Sequence, residues 1–262
     1  MYKKEKDEYF FDEINTEEKA YWLGFLFADG CVSKPERIIK GVVKPFYRIE
    51  VSLKIEDKDH LEKLRKSLKM EAPVRTGNTN FKGRDRCRLG WNSKHMWQTL
   101  VSYGCTPRKS LTLKFPNVST FSNKRLIRHF IRGYVDGDGC LSYQDKDKTR
   151  ATLSMLGTYD MLSNIQHWLP LQYENKIIKH CAKNVSGLYF QGKTGFFIAN
   201  YLYKNSTIFL QRKYDKYLEY CRLYLGKYGL QLGKYGELWD ENTVVNSEIA
   251  KGSESPYSIE IE

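Results

Sequence analysis

Two rhythms of apolar and polar positions run along this chain, and they recur in the same order twice. The run "WLGFLFADG" (22–30) is apolar almost to its end, as a buried helix would be, and then closes on Ala28-Asp29-Gly30. A carboxylate there faces the negative end of the helix dipole, the unfavourable end. The same ending returns in "IRGYVDGDG" (131–139). Period-two segments follow each run. "FYRIEVSLK" (46–54) leads into a helical "EDKDHLEKLRKSL" (56–68), and "TRATLSML" (149–156) leads into "TYDMLSNIQHWL" (158–169). Later strands at 84–92 and 187–193 each precede a further helix, near 93–103 and 194–203.

Asp138 follows Asp29 by 109 residues, and at that offset Gly24 matches Gly133, Gly30 matches Gly139, Cys31 matches Cys140 and Ser33 matches Ser142. A repeat of this length predicts two similar halves related by a pseudo-two-fold axis. The expected division is a first half at 1–113, a linker at 114–124 with its proline and small polar residues, a second half at 125–225, and a loosely ordered tail at 226–262. A charge-rich loop is expected after each Asp-Gly.

Side chains alternate faces along a strand. Arg48, Glu50, Ser52 and Lys54 therefore share a face opposite Ile49, Val51, Leu53 and Ile55. Arg84, Arg86 and Arg88 oppose Asp85, Cys87 and Leu89, and Lys146, Lys148, Arg150, Thr152 and Ser154 oppose Ala151, Leu153 and Met155. Each strand then has one apolar side for helices and one polar, mostly basic side.

Composition sharpens this. Of 262 residues, 43 are Lys or Arg and 31 are Asp or Glu, a formal net charge of +12 that favours a polyanionic partner. No stretch approaches the roughly 20 apolar residues of a membrane span, and the N-terminus lacks a signal-peptide pattern. A cytoplasmic (or organellar) protein with no membrane partner is expected. Cys31, Cys87, Cys105, Cys140, Cys181 and Cys221 form no C-x-x-C pair and are expected as free, buried thiols. The five histidines lack metal-ligand spacing, and no P-loop is present.

The repeated helix carries the candidate chemistry. Gly24 and Ala28, and likewise Gly133 and Gly137, are four apart and lie on one helical face. A face of such small residues lets another backbone approach closely. If the two faces meet, the helices pack along the pseudo-dyad, with Gly30 and Gly139 as left-handed stops. Asp29 and Asp138 then end the helix pair together. Two such carboxylates repel unless a cation joins them, and Mg²⁺ fits: a hard ion taking one or two carboxylates, with water and phosphate completing its shell. Paired carboxylates in a basic protein point to metal-assisted phosphodiester hydrolysis.

"WLGFLFADG" and "IRGYVDGDG" resemble the paired motifs of the LAGLIDADG homing endonucleases in their single-chain, two-motif form, a likeness spanning roughly residues 15 to 225. The resemblance implies an α+β fold of two αββαββα halves whose sheets form a DNA-binding saddle. It implies metal ligation by Asp29 and Asp138, with backbone carbonyls from Ala28 and Gly137. It implies Mg²⁺ as cofactor, with Mn²⁺ or Ca²⁺ substituting in binding. The expected activity is cleavage of both strands of a long, partly asymmetric DNA target across the minor groove, leaving 3′ overhangs. The acting species is expected to be a monomer with no obligate protein partner, and intron homing is the setting the resemblance suggests, with intein or free-standing origin left open by the sequence. The sixth motif position departs from the family name in the first copy, where Phe27 stands opposite Asp136. That position is variable in the family and is not the metal ligand.

The resemblance also points to a basic residue from each half, near the loop that follows the second strand pair. "CTPRKSLTL" offers Lys109 and "FLQRKYDKY" offers Lys213, while Lys54 is a third candidate at the end of its strand. Such a cation stabilises charge on the phosphate or orders the attacking water. Further DNA contacts are expected from Arg75, Lys82, Lys176, Lys179 and Lys183, with binding strongly dependent on salt. Two other functions fit the same residues: an RNA-binding splicing maturase on this fold, and a non-catalytic DNA-binding regulator. Two intact acidic positions argue against the second.

Overall fold

Thr16 opens the first helix: its hydroxyl accepts the Lys19 N–H at 3.2 Å, and Glu17 and Glu18 follow at the positive end of the dipole. This computed structural model describes residues 6–39, 41–78, 85–171, 175–180 and 185–228. The chain divides into two compact units, residues 1–137 with 207–211, and residues 138–206 with the chain from 212 on.

The first unit runs α1 (Glu17–Asp29), β1 (Gly30–Ser33), β2 (Glu36–Ile39), β3 (Val42–Pro45), β4 (Arg48–Lys54), α2 (Lys58–Ser67), β5 (Arg75–Asn78), β6 (Asp85–Asn92) and α3 (Lys94–Ser102), followed by most of α4 (Leu126–Asp138). Its antiparallel sheet has the order β1-β4-β6-β5. In β4, Ile49, Val51 and Leu53 are buried and the alternate residues are not, as the period-two pattern requires. Leu61 and Leu64 of α2 share this core with Trp22 and Phe25 of α1 and Leu89 and Trp91 of β6. Each buried aliphatic or aromatic side chain contributes about 1.5–3 kcal/mol.

One expectation changes here. No loop separates Gly30 from a strand, because β1 begins on Gly30 itself, and residues 36–45 form a separate two-stranded ribbon of β2 with β3. Within the expected linker, 114–124, most residues are exposed or half-buried, while Phe121 is buried. Ile14 and Phe121 form a parallel bridge, and the rings of Phe115 and Phe121 lie 5.3 and 5.6 Å from that of Phe130 in α4.

The second unit runs β7 (Gly139–Tyr143), β8 (Ala151–Gly157), α5 (Tyr159–Trp168), β9 (Ile178–His180), β10 (Val185–Gln191) and α6 (Gly192–Tyr203), then α7 (Gln211–Tyr228). Its sheet order, β7-β8-β10-β9, repeats that of the first unit element for element. Each half of the chain is thus αββαββα, with the β2–β3 ribbon added to the first and α7 to the second. Tyr220 of α7 donates its hydroxyl to the Thr152 carbonyl at 2.8 Å and also bonds the Ser142 carbonyl. Burial pushes that hydroxyl's pKa well above its ordinary value. The helix continues to Tyr228, so the segment 226–262 begins helical; its remainder lies outside the described residues. No helix among the described residues is long and apolar enough to cross a membrane.

Candidate active site

The small faces of α1 and α4 do meet. A Cβ built on Gly24 would stand 1.9 Å from the Phe130 carbonyl oxygen, and one on Gly133 would stand 2.0 Å from the Tyr21 carbonyl oxygen. No side chain fits at either position. Further along the pair, a Cβ on Gly137 would fall 2.3 Å from the Ala28 Cβ and 3.3 Å from the Asp29 amide nitrogen. The two helices therefore end at the same level. Asp29 closes α1 and Asp138 closes α4, and both side chains are exposed.

The glycines after them do not act as left-handed stops. Gly30 has φ −72° and ψ 142°, an extended conformation, and Gly139 is absent from the positive-φ glycines of the described chain. The requirement is steric: a Cβ on Gly30 would lie 2.4 Å from the Leu26 carbonyl oxygen. The helix turns straight into the strand, with the Gly30 N–H bonded to Leu26.

Each of these glycine carbonyls receives a lysine. The Lys109 ammonium donates to the Gly30 carbonyl at 2.5 Å and to the Ala28 carbonyl at 3.1 Å. Lys213 donates to the Gly139 carbonyl at 2.7 Å. Only 8% of Lys109 and 3% of Lys213 is exposed, an unusual condition for a lysine and one that hydrogen bonds must support. Arg108 holds a left-handed backbone (φ 58°) just before the short 3₁₀ turn carrying Lys109. Lys54 ends β4 as an exposed side chain and is not buried like the other two.

The end of each helix offers oxygens that suit a hard divalent ion: an exposed carboxylate, Asp29 or Asp138, beside the backbone carbonyl of Ala28 or Gly137. The Ala28 carbonyl already accepts from Lys109. Among the described residues no group of three or more His, Cys, Asp and Glu side chains converges. A metal held at either carboxylate would therefore draw its other ligands from the backbone, water and phosphate.

Comparison with known proteins bears on the fold. Neither a family sequence model nor a curated protein matches the chain. Solved structures do. A structure of the I-LtrWI LAGLIDADG homing endonuclease bound to target DNA matches with TM-score 0.54 at 11% identity, covering 93% of this chain and all of that one (100%). The meganuclease I-SmaMI, bound to uncleaveable DNA with a TTCT central four, matches with TM-score 0.54 at 12% identity over 90% of this chain and 97% of that one. The chain has the LAGLIDADG homing endonuclease fold.

The sheets of this LAGLIDADG fold carry different polar faces in its two halves. In the first sheet Arg75 lies opposite Arg88, and Lys54 opposite Arg86. Arg86 donates to the Ser52 carbonyl at 3.2 Å. Glu50 is held between Arg48 at 2.8 Å and Arg88 at 3.2 Å. Gly90, opposite Glu50, leaves room for the Arg48 guanidinium, which a Cβ there would meet at 2.4 Å. Like charges directly opposite cost stability in a free sheet. Lys82 and Arg84 lie outside the described residues.

The second sheet's polar face carries hydroxyls where basic residues were expected. Ser142 lies opposite Thr152 and Cys140 opposite Ser154, while Ser154 and Thr152 face Tyr189 and Gln191 on β10. Lys146 and Lys148 are not on β8. They occupy the turn before it, where Asp145 accepts the Thr149 N–H at 2.7 Å and Lys148 takes φ 56°. Arg150 immediately precedes the strand, and Lys176 precedes β9. Lys179 pairs with Ser186, one residue out of phase with the polar face, and at the sheet's edge it is exposed. Its neighbour His180 is on the polar face, bonded to the Tyr189 hydroxyl at 3.0 Å. Lys183 lies outside the described residues.

Two thiols also depart from expectation. Cys31 and Cys140 are exposed, because Gly30 and Gly139 put the next residue on the outer face of β1 and β7; Cys87 and Cys105 are buried. Burial raises the Cys105 thiol to about 11. Cys181 lies outside the described residues.

Periodicity along the chain gives no sign of a set of buried charges around α1 and α4. Arg132 and Asp136 have no exposed surface. The Arg132 guanidinium binds Glu17 at 2.6 Å and His129 Nδ1 at 2.8 Å. Burial and Arg132 together push His129 down to about 3, so it stays neutral and accepts that bond. Burial works to raise the Glu17 carboxyl, but Arg132 and the Thr207 N–H outweigh it and hold it low. Asp136 accepts from the Tyr21 hydroxyl at 2.7 Å. Spacing within a helix could not reveal these partners, which come from distant segments.

Proposed function

We propose that this chain is a site-specific DNA endonuclease that hydrolyses both strands of a duplex with divalent metal. One observation carries the reading: two motif helices joined at Gly24 and Gly133 each end on an exposed aspartate, and each following glycine carbonyl holds a buried lysine. That is a duplicated set of parts, suited to two cuts. Similarity to structures of DNA-bound homing endonucleases supports the reading at the level of fold.

Asp29 and Asp138, with the Ala28 and Gly137 carbonyls, would hold Mg²⁺. Mn²⁺ or Ca²⁺ would substitute in binding. Such an ion, held there, would polarise the scissile phosphate and lower the pKa of bound water. Lys109 and Lys213 supply fixed positive charge beside each carboxylate, stabilising the developing negative charge or orienting water. Low exposure strengthens that effect relative to a solvated lysine. The opposed cations of the first sheet lose their mutual repulsion when phosphates lie over them. Hydroxyls on the second sheet suit base edges. Faces so different fit an asymmetric target read by one copy of the chain. Cleavage across the minor groove with 3′ overhangs follows the family pattern.

Incubating the protein with a randomised duplex library and Mg²⁺, then sequencing the cut ends, tests this. The expected result is one enriched site with 3′ overhangs, lost on chelation. No cleavage, with tight binding to a structured RNA, would instead favour a splicing maturase.

A further inference from the structure

Residues 207–210 pass from α6 toward α7, and each of these four backbones is held by a charged side chain. The Thr207 N–H donates to Glu17 at 2.9 Å, Arg132 Nε donates to the Ile208 carbonyl at 3.0 Å, Lys63 donates to the Phe209 carbonyl at 3.2 Å, and the Leu210 N–H donates to Asp136 Oδ2 at 2.7 Å. The chain then enters α7 at Gln211, and three residues beyond Leu210 Lys213 donates to the Gly139 carbonyl.

Two of these bonds are in step. Asp136 to Leu210 and Gly139 to Lys213 each join residues 74 apart. Asp138 lies in the chain between the two rungs. The first rung fixes the residue just before α7, and the second is made by the lysine on the first turn of α7. Burying a carboxylate completely is costly unless its bonds are satisfied. An apolar residue would fill the position more cheaply, and the first half has one: Phe27 occupies the matching motif position, fully buried, its ring 5.2 Å from Phe130. Lys109 is thus presented by a 3₁₀ turn, and Lys213 by a helix whose entry is held by charged side chains.

We propose that Asp136 is a positioning residue for Lys213: it sets the start of α7 and so the lysine's place at the Gly139 carbonyl, for the second half alone. This rests on the catalytic reading of the two lysines given above. The consequence is strand-specific. Loosening Asp136 impairs one cut and spares the other.

The test uses the full chain, Mg²⁺ and a duplex carrying the site recovered from the randomised library, with each strand labelled separately. Asp136→Ala is expected to slow one strand at least tenfold and change the other less than twofold, so that nicked duplex accumulates. Asp136→Asn, which keeps an acceptor oxygen for Leu210, restores most of the loss. Lys213→Met slows the same strand, and Lys109→Met the opposite one. Equal slowing of both strands by Asp136→Ala, or slowing of neither while Lys213→Met remains strand-selective, overturns the proposal. Hydrogen exchange of the free protein tests the positioning without activity. Amides of 211–214 should exchange at least tenfold faster in Asp136→Ala, and those of 109–111 should not. Unchanged exchange at 211–214 also overturns the proposal. If Lys213→Met cuts both strands at the wild-type rate, the catalytic reading of Lys213 fails instead, and exchange alone decides the positioning. Should Asp136→Ala not fold, Asp136→Ser, too short to reach Leu210, takes its place in both measurements.

Discussion

Arg75 faces Arg88 across the β5–β6 pair, with no residue between them in register. Two guanidiniums so placed repel in the free protein and attract a polyanion together. Arg75→Thr is therefore expected to act in opposite directions. It should stabilise the free protein by about 0.2–1 kcal/mol in denaturant titrations, and it should weaken duplex binding. The slope of log K against log salt should fall by about one phosphate contact. Loss of stability and unchanged binding would show that this face does not meet DNA.

Asp29→Asn and Asp138→Asn should each preserve the fold and remove a proposed metal ligand. The expected outcome is a loss of cleavage of roughly a hundredfold or more, with duplex binding in Ca²⁺ changed far less. Labelled-strand cleavage assays at saturating Mg²⁺ check it. Cutting of both strands at full rate in either variant would remove that aspartate from the chemistry.

The glycine contact between α1 and α4 predicts a stability effect. Gly24→Ala adds a methyl group where the Phe130 carbonyl oxygen already stands 1.9 Å away. Backbone must move, and a cost of about 3 kcal/mol is expected, the upper end of ordinary overpacking. The mirror variant Gly133→Ala meets the Tyr21 carbonyl at 2.0 Å and should cost as much. Urea unfolding measures both.

Acid should destabilise the protein before it protonates most exposed carboxylates. His129 falls from 6.5 to about 3 on folding, because burial and Arg132 oppose its charging. The unfolded chain thus binds a proton between those values that the native chain does not. Stability is full above pH 6.5 and is lost as pH falls toward 3, by up to about 1.4 kcal/mol per pH unit. Glu17 is lowered from 4.5, so its contribution is present above 4.5 and lost as pH falls through its folded value. Both slopes have one sign. Thermal melts from pH 7 to 4 should show falling Tm, and His129→Gln should flatten the upper part of that fall.

Much of this was legible because it rests on local periodicity. The small residues at 24, 28, 133 and 137 announced a close helix pair, and the alternation in β4 announced its buried face. The family likeness led to Lys109 and Lys213, which do reach equivalent carbonyls. What escaped depends on distant partners or local turn chemistry. Lys146 and Lys148 continue an alternating pattern, but Asp145 captures the backbone of Thr149 and makes a turn of it. Lys179 lies one residue out of phase because the β9–β10 register, invisible in sequence, pairs it with Ser186. Arg132 and Asp136 look like surface charges on a helix, yet partners from residues 17, 21, 208 and 210 bury them.

The glycine contact has one more property. Gly24 meets residue 130 and Gly133 meets residue 21, and both residues of each pair shift by the same 109 positions under the repeat. The contact is isologous: each surface is its own complement, as in a homodimer. Nothing in this helix pairing depends on the two halves sharing a polypeptide. A chain of one half's length, with its glycine and carbonyl at these positions, would present the same contact to a second copy of itself. The covalent fusion does something else: it frees the residues outside the contact to diverge, so that one half can carry arginines and the other hydroxyls.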